Sequence, residues 1–118
     1  MAQKYIKDDI VMYKNRIHTI IDTLGLNNYE LSYIRHPVNQ AELSGVPLTH
    51  EILEKNGWNK GQIYFTHSRI PRIKLCTDES ESKWSVSING DIMGGYTCYV
   101  HDLQHILFAF KINSEMEV

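Results

Sequence analysis

The chain of 118 residues has two cysteines, three prolines and no excess of one charge. Each shortage excludes something. Cys76 and Cys98 lie far apart and form no CxxC, which removes that motif and fits a cytosolic setting. Both sit in apolar, strand-like stretches and read as buried free thiols. No apolar run approaches the roughly 20 residues of a membrane span. The first residues, Met1-Ala2-Gln3-Lys4-Tyr5, lack the apolar stretch of a signal peptide. The expectation is a cytoplasmic protein with no membrane partner. A net charge of −2 excludes a general grip on nucleic acid, which needs a basic surface, but leaves room for a local basic patch.

The strongest catalytic signatures are also missing. There is no Gly-x-Ser-x-Gly, no P-loop and no GxGxxG. His67-Ser68 and His36-Pro37 stand alone and read as loop residues. The acidic run Asp78-Glu79-Ser80-Glu81 reads as a solvated loop. No catalytic residue and no cofactor is assigned. The balance is against an enzyme, although a site assembled from scattered residues leaves no mark in one sequence.

What is present fits one domain spanning residues 1–118, with a modest core. Segment 5–46 reads as SH3-like antiparallel strands. Asp9 to Tyr13, Arg16 to Ile21 and Tyr29 to Ile34 are the strand candidates, with tight turns at Lys14-Asn15 and Gly25 to Asn28. Pro37 ends the third, and Val38 to Ser44 reads as an irregular or single-turn connection. Segment 48–57 is a short helix. Thr49 is its N-cap, Leu48 and Leu53 form a hydrophobic staple, Glu51 favours the first turn, and Asn56-Gly57 supplies a left-handed exit. Segment 61–99 is an antiparallel sheet. Gln62 to Thr66, Arg72 to Cys76 and Trp84 to Ile88 alternate like strands, Asn89-Gly90 is a hairpin turn, and Tyr96 to Tyr99 is a fourth strand after a Gly94-Gly95 turn. Segment 100–112 is an amphipathic closing helix. Strands, short helix, strands and long helix together make an α+β fold.

The closing helix has two stripes. Leu103, Ile106, Leu107 and Phe110 follow the spacing of one buried face. His101, His105, Phe108 and Ile112 form a second, about half a turn away. Asp102, Gln104 and Lys111 are the expected solvent residues. A helix apolar on two sides is covered on two sides. Either the N-terminal strands or a second copy of the chain could cover the histidine side, so a homodimer or higher homo-oligomer is expected. His101 and His105 are one turn apart, a spacing able to hold a metal. The residue after the first histidine is Asp102 rather than the longer glutamate of a metalloprotease motif, and no third ligand is placed. No metal is assigned.

One cluster suits a ligand. Arg69, Arg72 and Lys74 follow closely on Tyr64 and His67. Arginine offers a bidentate fork for phosphate, and tyrosine a stacking face for a base. The expected ligand-binding residues are Tyr64, His67, Arg69, Arg72 and Lys74, with His101 and His105 on the helix.

Two blocks carry a resemblance. They are Gly45-Val46-Pro47-Leu48-Thr49-His50-Glu51-Ile52-Leu53-Glu54-Lys55-Asn56-Gly57-Trp58 and Tyr99-Val100-His101-Asp102-Leu103-Gln104-His105-Ile106-Leu107-Phe108-Ala109-Phe110. The chain resembles a family of small proteins of Bacteroidetes genomes, mobile elements and phages. That family shows an SH3-like start, a Pro-Leu-Thr lead into a short helix, variable strands and a closing helix near His-x-Leu-Gln. The motif matches His101, Leu103 and Gln104. The family has Asn where this chain has His105. It brings no activity. The resemblance implies a phage setting in a host cytoplasm, where small proteins without catalytic motifs work by binding. The resulting expectation is an anti-defence protein that sequesters a nucleotide-type signal, with direct inhibition of a host defence protein as the alternative.

Overall fold

The computed structural model describes residues 4–62, 64–77, 83–92 and 96–118. The fold is α+β, and the chain forms two compact units. Unit 1 comprises Met1–Val46 and Tyr99–Met116, and unit 2 comprises Pro47–Cys98 and Glu117–Val118.

Unit 1 holds the segment expected to form SH3-like strands, and there it forms an antiparallel sheet. Its strands are β1 (Ile10–Tyr13), β2 (Arg16–Leu24), β3 (Asn28–Leu31), β4 (Val38–Asn39) and β5 (Leu43–Gly45). They form an antiparallel sheet in the order β4-β3-β2-β1-β5. Lys14 and Asn15 both take positive φ and join β1 to β2 in two residues, as a tight hairpin requires. The third strand is shorter than its alternation suggests. It stops at Leu31, because Tyr33 turns back at φ 64° and the Ile34 N–H closes onto the Leu31 carbonyl at 3.3 Å. The stretch expected to be an irregular connection holds β4, a 3-10 turn over Gln40–Glu42, and β5. Asn39 caps that turn by accepting from the Ala41 N–H at 2.9 Å, and Glu42 answers by accepting from the Asn39 N–H at 3.2 Å. Strands of two and three residues are too short to show a period in sequence. Tyr5, Val11, Ile20, Tyr29, Leu31 and Val38 form the core.

The closing helix, α2 (Val100–Ala109), belongs to this unit. It ends three residues before the expected Ile112. Lys111 enters the left-handed region at φ 58°. Its N–H then reaches the Phe108 carbonyl at 3.0 Å, and the Ile112 N–H reaches the Leu107 carbonyl at 2.8 Å. That is a Schellman ending with lysine in the usual glycine position. Leu103 and Leu107 are buried as the first stripe requires, while Ile106 and Phe110 are half-buried. On the second stripe His101 is buried and Phe108 exposed. Gln104, expected in solvent, is buried instead. Its amide satisfies three backbone groups at once. It accepts from the Ile10 N–H at 2.8 Å and donates to the carbonyls of Asp8 and Ser114 at 2.9 and 3.0 Å. Periodicity cannot announce such a residue, because its partners lie 94 and 96 positions away on the N-terminal side.

Unit 2 begins with helix α1 (His50–Lys55), shorter than the expected 48–57. Thr49 Oγ1 accepts from the Ile52 N–H at 3.3 Å, and Gly57 turns the chain away at φ 89°. Leu48 and Leu53, the two ends of the staple, are both fully buried. An antiparallel sheet follows in the order β10-β9-β8-β7-β6. Its strands are β6 (Trp58–Lys60), β7 (Phe65–His67), β8 (Ile70–Thr77), β9 (Trp84–Ile88) and β10 (Asp91–Ile92). Strand β6 is unannounced in the sequence. Trp58, expected only to pack on the helix end, also starts this strand. The Asn89-Gly90 turn has positive φ at both residues, as expected. The fourth strand expected over Tyr96 to Tyr99 is reduced to one bridge between Thr97 and Trp84. The acidic run Asp78 to Glu81, the Gly94-Gly95 turn and Ile63 lie outside the described residues. Alternation sorts the sheet cleanly. Ile73, Leu75, Trp84, Val86 and Ile88 are buried, and Trp84 Nε1 donates to the Leu48 carbonyl at 2.8 Å.

Candidate functional site

The five expected ligand residues of unit 2 fall on β7, β8, the turn between them and, for Tyr64, the position just before β7. Lys74 pairs with Thr66 of β7 and with Ser87 of β9. Because Ile73 and Leu75 point inward, Arg72, Lys74 and Cys76 point to the opposite face. The Phe65–Leu75 pair sets Tyr64 level with Cys76 on that same face. The Lys74 ammonium stands 5.6 Å from the centre of the Tyr64 ring.

His67 has a different part. Its Nε2–H donates to the Asn56 carbonyl at 3.2 Å, and its Nδ1 accepts from the Arg69 N–H at 3.1 Å. One tautomer satisfies both bonds, so both ring nitrogens are engaged. The ring also lies edge-on to Trp58 at 5.5 Å. A side chain at Gly57 would meet His67 Nε2 at 2.8 Å, which fits glycine there. His67 thus braces β6, β7 and the end of α1. Arg69 is exposed in the turn between β7 and β8.

Two further residues complete the exposed face. Thr97 pairs with Trp84, so Tyr96 comes level with Ser85, and Ser85 pairs with Cys76. Across the sheet the row reads Tyr64, Cys76, Ser85, Tyr96. Lys83 stands over the Tyr96 ring at 5.2 Å. Tyr64 is 40 % and Tyr96 62 % exposed. This separates them from Tyr5 and Tyr13 of unit 1, which also carry nearby lysines but are buried. Only an exposed ring can take a second planar group. Tyr96 and Lys83 escape sequence reading because a lone bridge places them. The pairing of a tyrosine with a lysine thirteen residues earlier has no local period.

The two histidines lie in unit 1 and have another environment. His105 Nε2 meets Asp9 Oδ2 at 2.6 Å. The same oxygen accepts from the Ile6 N–H at 2.9 Å. Asp9 is almost fully buried. The hydrogen bond to Asp9 raises the His105 pKa above its ordinary value, against the opposing effect of burial. His101 is 3 % exposed and its pKa is lowered, chiefly by burial. It stacks on Tyr99 at 5.5 Å and meets Tyr5 and His105 edge-on at 5.0 and 5.7 Å. Asp102 Oδ1 is 3.5 Å from His101 Nε2. That pair would favour the imidazolium, but desolvation is the larger effect and the ring stays neutral near pH 7. Its Nδ1 has no hydrogen-bond partner among the described residues. Gly45 admits this packing, since a Cβ there would lie 2.6 Å from the Tyr99 ring and 2.9 Å from His101 Cε1. Burial likewise raises the Tyr5 pKa.

A histidine held by a buried aspartate is the arrangement that orients a general base. A base also needs a cleft and a group to act on. Two surface depressions of unit 1 have volumes of about 200 and 240 Å³. Leu24, Ile34 and Arg35 help line one, and Asp8, Ile10 and Glu115 the other. Both fall below the roughly 300 Å³ of a small-molecule pocket. Among the described residues no three His, Cys, Asp or Glu side chains converge as a metal site. On the histidine face His101 is covered from within unit 1, with Tyr5 edge-on to it, whereas His105 beside Asp9 is half-buried and Phe108 exposed. No family model, curated protein or solved structure matches the chain.

Proposed function

We propose that this is a non-catalytic binding protein that takes a nucleotide-type ligand on the open face of the unit 2 sheet. The observation that carries the reading is the pair of exposed Tyr64 and Tyr96 rings beside Lys74 and Lys83, with Arg72 on the same face. Tyrosine faces stack on bases, at about 1–3 kcal/mol per base. Cationic side chains meet phosphate. The family resemblance adds the setting: a phage or mobile-element protein in a host cytoplasm, acting against defence by sequestering a signalling nucleotide. A homodimer would present the face twice.

The test is a thermal shift across a panel of linear and cyclic nucleotides, followed by chromatography of the ligand released on heat denaturation. Binding with intact ligand recovered supports sequestration. Recovery of a converted product makes the protein an enzyme and contradicts the proposal. A second reading, direct inhibition of a host protein, is favoured by one observation on unit 1. Ile17, Ile21, Leu26 and Tyr33 are all exposed, and Tyr33 is 97 % exposed on a positive-φ turn. Failure of every nucleotide in the panel shifts weight to that surface.

A further inference from the structure

We infer that the same face is built for a ligand with two nucleobases joined through phosphate, a dinucleotide whose two halves are related by a two-fold axis. The inference rests on the nucleotide reading above.

An antiparallel strand pair has a local two-fold axis, perpendicular to the sheet, between the members of each residue pair. At Cys76 and Ser85 that axis exchanges β8 and β9. It carries Lys74, two residues before Cys76, onto Lys83, two residues before Ser85. It also carries Tyr64, level with Cys76 on the outer side of β8, onto Tyr96, level with Ser85 on the outer side of β9. The Tyr64–Lys74 and Tyr96–Lys83 pairs are therefore two-fold mates, and their separations of 5.6 and 5.2 Å agree. Between the mates the floor is small: a thiol and a hydroxyl.

The dimensions suit two bases. Three strand spacings put the tyrosine backbones about 14 Å apart. One base stacked inside each ring takes about 3.4 Å. About 7 Å then remains over Cys76 and Ser85, room for a sugar-phosphate bridge. The lysines lie on opposite sides of the row, so each can reach one phosphate. A mononucleotide would use one half and leave the other empty. A two-base ligand gains the second half without a second loss of rigid-body freedom, which is how linked sites exceed single ones.

The experiment is calorimetric titration of the full chain with cyclic di-AMP, cyclic di-GMP, cyclic GMP-AMP, AMP, GMP, and short and long single-stranded oligoadenylates. The expected result is one cyclic dinucleotide per chain, bound at least about tenfold more tightly than either mononucleotide. Tyr64→Ala and Tyr96→Ala should each weaken it by about 5- to 100-fold, by similar factors, with Tyr→Phe variants unaffected. Lys74→Gln and Lys83→Gln should weaken it equally, and they keep the readout if a tyrosine variant fails to fold. Equal affinity for a mononucleotide, or loss of binding through only one tyrosine, overturns the two-base inference and leaves the nucleotide reading standing. Affinity that climbs with oligoadenylate length also overturns it, in favour of single-stranded nucleic acid. Failure of every probe to bind overturns both.

Discussion

In unit 1 Tyr5, Asp9, His101 and Gln104 turn inward, and in unit 2 Tyr64, Tyr96, Lys74 and Lys83 turn outward. The inward set is bound by short hydrogen bonds: Asp9 to His105 and Ile6, and Gln104 to Ile10, Asp8 and Ser114. It holds α2 to the N-terminal segment, and apart from His101 Nδ1 its polar side chains are engaged within the unit. The outward set leaves its rings and cations in solvent. Residue type alone would rank the histidine cluster as the more functional of the two, since a His–Asp pair with a shifted histidine pKa is a common sign of catalysis. The bonds already made reverse the ranking, since His105 and Asp9 hold each other while Lys74 and Lys83 are exposed. A group becomes a site when its bonding capacity is left over for a ligand.

Breaking the inward set should cost most. Asp9→Ala leaves the Ile6 N–H and the His105 ring without their acceptor, and should destabilise unit 1 by about 3 kcal/mol in denaturant titration. A loss under about 0.5 kcal/mol would show that the cluster is no scaffold. Gly45→Ala tests the packing around it. The new methyl would press on the Tyr99 and His101 rings, at a cost of about 2 kcal/mol by overpacking.

A smaller effect sharpens the contrast through pH. The His105 pKa is raised, so its contribution is complete below the unfolded value of about 6.5 and is lost as pH rises through the folded value. The His101 pKa is lowered, so the folded protein resists protonating it and stability falls as pH drops below about 6.5. These two groups should place a stability maximum near neutrality when melting temperature is followed against pH. Asp9→Asn should flatten the alkaline side, and His101→Phe the acid side. Unit 2 gives the smallest effect: Tyr64→Ala and Tyr96→Ala should change stability by less than about 0.5 kcal/mol while abolishing most nucleotide binding. A large loss of stability would make these rings structural.

Much of the fold was legible. The β1–β2 turn at Lys14-Asn15, the Thr49 cap, the Asn89-Gly90 turn and the alternation of Arg72 to Cys76 each depend on neighbouring residues, and each appears where the chain chemistry puts it. What escaped depends on distant partners. Strands β4 to β6 are two or three residues long and exist only because a neighbouring strand pairs with them. Gln104 reads as a surface residue until Ile10 and Asp8 come to meet it. The site divides in the same way. Arg72 and Lys74 share a face by simple alternation, whereas Tyr96 joins them through one bridge across β9, and His67 turns out to have both nitrogens occupied.

Binding on the outward face and scaffolding by the inward cluster can be separated in one experiment. Mapping amide chemical shifts of the full chain during titration with a cyclic dinucleotide tests it most directly. The expected shifts concentrate at Tyr64 to Thr66, Arg72 to Cys76, Lys83 to Ser87 and Tyr96 to Thr97. Shifts centred instead on Tyr5 to Ile10 and His101 to His105 would contradict it.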